Sequence, residues 1–430
     1  WDWAKPTQAL MHNGSVSTIG LFVVYIIIIV FSLLNYWSVK LLTSFTSLIS
    51  VFKLGVPLLT IIMLTISGFD AGNYGHSLNT FMPYGSAPIF AATTTSGIIF
   101  SFNAFQTIIN MGSEIKNPEK NIARGIGISL TLSAILYIIL QSTFITSMPQ
   151  SMIHSHGWHG INFNSPFADM AILLSINWLA ILLYIEAVVS PFGTGVSFVA
   201  ITGRVLSAME KNGHIPKFLG KINSKYNIPR VAIAFNAVMS IIMVTLFRDW
   251  GVLAAVISTA TLVAYLTGPT TVIALRKMGP KLHRPFRGKL LKIMAPLSFV
   301  LASLAIYWAM WPTTAEVILI IILGLPIYFF YEYKMNWKNT KKQIGGSLWI
   351  IVYLILLAAM SFIGSKEFKG MNWIHYPYDF IAIIVLSLIF YKIGSSSHFN
   401  SIYFKRAKKI NKKMKDGSPE EAEAAAKGNE

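Results

Sequence analysis

The sequence contains no cysteine among its 430 residues. This absence excludes disulfide bonds, thiolate metal sites and cysteine nucleophiles within the chain. Charged residues are also scarce, at 12% of the sequence, about half the share found in soluble domains. The sequence further lacks a phosphate-binding glycine loop, a nucleophile elbow and a pair of zinc ligands on one helix. We therefore do not expect an enzyme, and we expect no cofactor and no bound metal.

Apolar residues are abundant instead. Hydrophobic residues make up 54% of the sequence, and the mean hydropathy is +0.58. Apolar runs of about 18 or more residues recur along the chain, which predicts an all-α polytopic membrane protein. We predict eleven spans, at residues 16–37, 45–68, 87–111, 126–148, 167–201, 231–247, 251–275, 293–311, 314–332, 346–364 and 376–393.

The formal net charge of +18 is distributed unevenly between the loops. Most lysines and arginines fall in alternate loops, beginning after the first span, and in the tail from residue 394. By the positive-inside rule, this asymmetry predicts an N-terminus outside the cell and a C-terminus in the cytoplasm. The excess of basic residues therefore indicates the orientation in the membrane and gives no reason to expect nucleic acid. We expect these residues to contact anionic membrane lipids.

The span at 87–111 has an unusual polar interruption. Three threonines, Ser96 and Gly97 are followed by Ser101, Asn103 and Gln106. A helix in lipid satisfies its own backbone, so polar residues and glycine at mid-depth favour a helix broken around a ligand. The alternative is an intact helix that packs closely against its neighbours through small residues.

Two charged residues lie inside predicted spans. Lys53 is near the centre of the second span, where a lysine costs about 2.5–3.5 kcal/mol, so we expect it to face the protein interior. Glu186 is the acidic counterpart, and Ser190 shares its helix face. We expect Pro191 and the glycines that follow to bend or loosen that helix. Both groups are candidates for reversible protonation, although a static ion pair for Lys53 and a protonated, hydrogen-bonded Glu186 remain open.

Three ordered motifs resemble amino-acid permeases of the APC superfamily. The first combines the aromatic-rich segment 100–106 with 112–122, similar to the sixth family helix and its Glu-x-Lys-Asn-Pro loop. The second comprises 204–209, 212–216 and 227–229, which resemble the loop after helix eight. The third is the Arg-Pro-Phe-Arg string at 284–287, which resembles the segment after helix ten.

This resemblance implies a leucine-transporter-like fold with an inverted five-plus-five repeat. The chain corresponds to family helices four to fourteen, and because Trp1 lies outside with no span before it, we expect the first three helices upstream. The resemblance implies four divisions. Residues 1–68 form an outer loop and the last two helices of the first repeat, and 87–275 form the complete second repeat. Residues 293–393 form four additional helices, and 394–430 form a cytoplasmic tail.

The family holds its substrate between its broken first and sixth helices. The implied substrate-binding residues in this sequence are Phe100, Ser101, Phe102, Asn103, Ala104 and Gln106. Two of them depart from the family pattern. Ala104 replaces a glycine, which makes the break stiffer or shifts it, and Gln106 replaces a glutamate, which removes a protonatable group.

The resemblance also implies proton coupling. Lys53 matches a lysine that several proton-coupled relatives carry in helix five, where related transporters bind sodium. Glu186 followed by Ser190 and Thr194 is similar to an acidic-then-Ser-Pro-x-Gly-Thr pattern in one branch of the family. The resemblance implies that the hydroxyls of Ser190 and Thr194 support an ion site or a break in the helix.

The sequence thus predicts a secondary active transporter of amino acids or related amines, located in the plasma membrane, with protons as the second partner. The alternative is a non-transporting receptor-like protein or a truncated remnant. Substrate identity, symport versus exchange, direction and oligomeric state do not follow from the sequence.

Overall fold

The structure is a computed structural model. It describes residues 2–12, 14–37, 39–110, 112, 115–211, 215–223, 228–282, 284, 288, 290–334, 340–398, 404, 405 and 408, with only the backbone described at 2–4, 37, 39–48, 110, 331, 332, 334 and 340–343. Most of the predicted tail and parts of the three motifs lie outside these residues.

The described residues are mainly helical. A hairpin of β1 (Met11–His12) and β2 (Ser15–Val16) precedes the first long helix, with Met11 opposite Val16. The helices are α1 Thr18–Trp37, α2 Val39–Ser67, α3 Leu78–Phe81, α4 Ala87–Thr95, α5 Ile98–Ser101, α6 Gln106–Asn110, α7 Pro118–Thr146, α8 Gln150–Gly160, α9 Pro166–Leu173, α10 Asn177–Lys211, α11 Arg230–Leu246, α12 Trp250–Met278, α13 Leu291–Tyr307, α14 Thr313–Ile322, α15 Leu325–Lys334, α16 Thr340–Ile363 and α17 Tyr378–Gly394.

Seven helical segments among the described residues are long and apolar enough to cross a membrane. They are Thr18–Tyr36, Ile49–Ser67, Pro118–Thr146, Asn177–Lys211, Trp250–Met278, Thr313–Phe330 and Ile344–Ile363, and the shorter apolar helices include Arg230–Leu246 and Leu291–Tyr307. The predicted class, an all-α polytopic membrane protein, is confirmed.

Besides the span at 87–111, two predicted spans are subdivided in the structure. The span at 167–201 consists of α9 and α10, because Ser175 takes a left-handed conformation with φ of 62° between them. The span at 314–332 is divided between α14 and α15 at Leu323 and Gly324. Neither break changes the apolar character of the sequence, so hydropathy alone did not locate it.

Prolines mark several helix starts. Pro88, Pro118 and Pro166 stand in the first turns of α4, α7 and α9, where a missing amide hydrogen removes no intrahelical bond. Asn117, just before Pro118, is left-handed with φ of 49°, a conformation that asparagine tolerates better than most residues. This gives a local reason for the Asn-Pro pair in the first motif.

The chain divides into two compact units. The first comprises residues 1–85 and 104–250. In it α10 packs against α1, α2, α9 and α11, and α2 also packs against α7. The buried amide of Asn35 joins α1 to α10, since its Nδ2 donates to the carbonyl oxygens of Phe31 and Val196, both at 2.9 Å.

The second unit comprises residues 86–103 and 251–430. Here α13 packs against α4, α16 and α17, around a core that includes Phe299, Tyr307 and Tyr353. The buried carboxylate of Asp379 accepts hydrogen bonds from Tyr307 Oη at 2.6 Å and Ser365 Oγ at 2.7 Å. These three polar side chains are thus joined to each other, as burial requires.

Candidate functional site

The predicted helix interruption is present, and it has two parts. After α4, Gly97 adopts a left-handed conformation with φ of 79°, which glycine takes without a steric penalty. After α5, Phe102 and the 3₁₀ turn Asn103–Phe105 separate α5 from α6. The left-handed residue is therefore Gly97, and Ala104 lies within the 3₁₀ turn. Whether Ala104 makes the break stiffer or shifts it relative to the family stays a prediction.

Hydroxyl groups around the break bond to main-chain carbonyls. Thr93 donates to Phe90 at 2.6 Å, Thr95 donates to Ala91 at 2.9 Å, and Ser101 donates to Ile98 at 2.7 Å. Thr94 is fully buried and donates across to Ala305 of α13 at 2.8 Å. These four residues therefore stabilise the pieces of the helix and their packing.

Asn103 is held by two residues of α12. Its Nδ2 donates to Thr261 Oγ1 at 3.1 Å, and Tyr265 Oη donates to its Oδ1 at 3.4 Å. Thr261 and Tyr265 are one helical turn apart, so they present both groups on one face of α12. Neither residue was predicted from the sequence. Thr261 and Tyr265 stand four residues apart within an apolar span, and this spacing could have pointed to them.

A cavity of about 500 Å³ lies within the second unit, beside this bridge. Its walls come from α4, α5, α12 and α13 and are mainly apolar, and they include Thr93, Ile99, Tyr265, Pro269, Ala302 and Trp308. Tyr265 therefore contacts Asn103 and lines the cavity.

The other predicted substrate residues are distributed over the break. Phe100 and Ser101 are exposed, and Phe102 is half-buried; all three belong to the second unit. Ala104 is exposed and Gln106 is half-buried, and both belong to the first unit. The boundary between the units thus falls inside the interruption, between Asn103 and Ala104. Direct contact of these residues with a substrate stays a prediction.

Lys53 contacts α10 in the first unit. Its Nζ donates to Thr194 Oγ1 at 2.5 Å, and Thr194 donates its own hydrogen to the Ser190 carbonyl at 3.1 Å. Because that hydrogen is used on Ser190, the hydroxyl can offer Nζ only a lone pair. Glu186, two turns before Thr194, is close enough to interact electrostatically with Lys53. The three residues that the sequence singled out on α10 therefore lie on the face that meets the lysine.

The glycines of this helix are packing sites. A Cβ at Gly193 would lie 2.8 Å from Cδ1 of Ile49, and one at Gly195 would overlap the ring of Phe31. The helix α10 is continuous through Pro191 and both glycines. The predicted bend or loosening of the helix stays a prediction, and the two glycines allow α2 and α1 to approach closely. Pro191 still leaves the Ala187 carbonyl without its usual amide donor.

The lysine site has a simple chemical capacity. The half-buried amine of Lys53 donates to one neutral acceptor, and it can keep this contact to α10 whether or not it carries an extra proton. The site's net charge then depends on proton occupancy. Among the described residues, no group of three or more His, Asp or Glu side chains is placed to bind a metal.

Comparison with known proteins identifies the family. Residues 7–325 match the family model described as Amino acid permease. The chain belongs to the amino acid permease family of the APC superfamily. The permease is 45% identical over 424 residues to the glutamate/serine transporter AimA of Bacillus subtilis (strain 168), covering 98% of this chain and 78% of AimA.

Two further relatives come from the same organism. The permease is 33% identical to the aspartate-proton symporter over 90% of its own length and 74% of the relative's. It is 27% identical to the branched-chain amino acid permease BcaP, over 73% and 64% of the two chains. The predicted family is confirmed, and the relatives are transporters. The chain is therefore a multi-pass membrane protein related to amino acid transporters.

Proposed function

We propose that the permease is a proton-coupled secondary transporter of amino acids, with acidic and small polar amino acids as its substrates. The names of two relatives support the substrate class, since one is a glutamate/serine transporter and another an aspartate-proton symporter. We further propose that it works by alternating access in the plasma membrane, with the inverted repeat, the outer N-terminus and the cytoplasmic C-terminus inferred from the sequence.

The observation that carries the proton coupling is the Lys53–Thr194 contact between α2 and α10. An intramembrane lysine is costly, and its protonation state sets the charge between these two helices. With a proton, Nζ carries a positive charge beside Glu186; without it, the carboxylate loses that attraction. A proton gradient can therefore change the relative free energies of two conformations, provided that the α2–α10 packing differs between them.

The proposed substrate site is the interruption that follows α4 and includes Asn103 in the second unit. Helix ends leave main-chain carbonyls and amides without intrahelical partners, and these groups suit the amino and carboxylate ends of an amino acid. Asn103 contributes a side-chain amide that Thr261 and Tyr265 hold in place.

Uptake by the complete gene product in proteoliposomes tests this proposal. An inward gradient of one pH unit carries about 1.4 kcal/mol per proton, enough for about tenfold accumulation at one-to-one coupling. We expect accumulation of labelled glutamate, aspartate or serine that a protonophore abolishes. Accumulation that is unchanged by the protonophore would refute proton coupling. Transport of none of the amino acids would refute the transporter itself.

The Lys53→Gln variant tests the coupling residue. We expect it to equilibrate substrate without accumulating it. The matched control is Lys366→Gln, which makes the same change at an exposed lysine outside the spans and should accumulate substrate normally. Accumulation by Lys53→Gln at the wild-type level would show that another group carries the proton.

A further inference from the structure

Two basic segments of the second unit meet at one end of its helices. The first begins at the end of α12 with Arg276 and Lys277 and continues to Lys292 at the start of α13. The second begins with Lys392 at the end of α17. Neither segment contains an acidic residue: the sequence has no aspartate or glutamate at 276–315 or 380–415.

Two contacts join these segments, and a third places another lysine beside them. Lys277 Nζ donates to Ser396 Oγ at 3.2 Å. A Cβ at Gly279 would lie 3.2 Å from Cζ of the buried Phe404, so the ring packs directly against the glycine. Lys408 Nζ lies 4.9 Å from the centre of the same ring. Positive charges from distant parts of the sequence are therefore concentrated on one surface.

The charges on this surface are not neutralised within the described part of the chain. Arg284 donates to the carbonyls of Leu275, Gly279 and Leu282, so its guanidinium caps the C-terminal end of α12. The Nε of Arg276 is buried without a hydrogen-bond partner among the described residues. The exposed basic residues of this surface are Lys277, Lys281, Lys292, Lys392, Lys405 and Lys408. None of them forms an ion pair with another described residue.

The opposite end of the same unit has a different charge pattern. Between α16 and α17, Lys366 and Lys369 are accompanied by Glu367. The concentration of uncompensated charge is thus specific to the end where α12 and α17 finish and α13 starts. The helix α12 is long and apolar enough to cross a membrane, and α13 and α17 are shorter apolar helices, so their ends are expected at the level of the lipid headgroups.

We propose that this end of the second unit binds the headgroups of anionic phospholipids. The basic face is defined by Arg276, Lys277, Lys281, Lys292, Lys392, Lys405 and Lys408. Like charges held this close repel one another, and a phosphate-bearing headgroup removes that repulsion. Phospholipid is the occupant because the face lies where apolar helices end, so the surrounding bilayer supplies the anion at high local concentration.

Titration of the complete protein in zwitterionic micelles with phosphatidylglycerol tests the assignment. The variant Lys281→Gln/Lys392→Gln removes two exposed charges from the basic face, and Lys366→Gln/Lys369→Gln makes the same charge change at the other end. We expect tighter binding of phosphatidylglycerol than phosphatidylcholine by the wild type. Each basic-face lysine that is replaced should weaken that binding about fivefold, and added salt should weaken the binding of the wild type.

Several results would overturn the proposal. One is equal affinity of the wild type for the two lipids, and another is equal loss in both variants, which would indicate a general effect of net charge. Binding of soluble glycerol phosphate as tightly as phosphatidylglycerol would assign the face to a free anion. Thermal melting checks that both variants are folded. A loss of phosphatidylglycerol binding that is confined to the folded basic-face variant supports a lipid site.

Discussion

The bridge between Asn103 and α12 gives a prediction whose size follows from two distances. The perturbations are Thr261→Val, which replaces a hydroxyl with a methyl, and Tyr265→Phe, which removes only the phenolic oxygen. Each is combined with Asn103→Ala in a double-mutant cycle, which isolates the interaction of each pair with Asn103. Thr267→Val is the matched control, because this exposed threonine of α12 donates only within its own helix, to Ala264.

The expected energies differ for the two pairs. The Asn103–Thr261 distance of 3.1 Å is within the usual range of about 2.7–3.2 Å for an N–H donor. The Tyr265–Asn103 distance of 3.4 Å is well beyond the usual value of about 2.8 Å for a hydroxyl donor. Interhelical hydrogen bonds in membranes contribute about 0.6 kcal/mol on average. We therefore expect a coupling energy of about 0.6–1 kcal/mol for Thr261 and less than about 0.3 kcal/mol for Tyr265.

The coupling energies are measured from reversible unfolding in mixed micelles, followed by the circular dichroism of the helices. The expected order is Thr261 above Tyr265, with Thr267 at zero. The reasoning fails if Tyr265 couples to Asn103 as strongly as Thr261 does. It also fails if the Thr261 coupling equals that of Thr267, since the bridge would then contribute nothing to the break.

Three further predictions concern packing, and each is checked by the free energy of unfolding. Gly195→Ala should destabilise the protein by about 1–3 kcal/mol, because Phe31 is held against Phe192 and cannot easily move, whereas Gly55→Ala, with open space around it, should not destabilise. Tyr307→Phe should cost about 1.5–3 kcal/mol through its lost bond to the Asp379 carboxylate, whereas Tyr378→Phe on an exposed residue should cost less than about 0.5 kcal/mol. Arg284→Gln should cost about 1 kcal/mol or more by exposing the carbonyls that end α12, and a variant as stable as wild type would contradict that role.

Hydrophobic length was sufficient to predict the class of fold and the approximate position of the spans. It did not separate α9 from α10, because the break at Ser175 is a change of one backbone dihedral within a continuous apolar sequence. The polar residues and glycine at 93–106 predicted a broken helix, since such residues are costly in lipid unless they have a structural use. The conformation of Gly97 agrees with that prediction.

Partners across the structure were much harder to predict. The sequence identified Lys53 and Glu186 as charged residues inside predicted spans but not their partners, and the hydrogen bond of Lys53 goes to Thr194. Which face of α2 meets α10 depends on tertiary packing, including the close approaches at Gly193 and Gly195. Thr261 and Tyr265 lie 158 and 162 residues from Asn103, and nothing in a single sequence connects them.

The hydroxyl bonds around the break have a consequence for ligand discrimination. A hydroxyl has one hydrogen, and Thr93, Thr94, Thr95 and Ser101 have each placed it on a main-chain carbonyl. These side chains therefore have no hydrogen left to donate to an incoming solute. On the proposed function, main-chain groups at the helix ends recognise the ammonium and carboxylate that every amino acid shares. On the proposed function, such a site is tolerant of the variable side chain. Selectivity must then come from other surfaces, and substitutions among these hydroxyls should change stability more than substrate range.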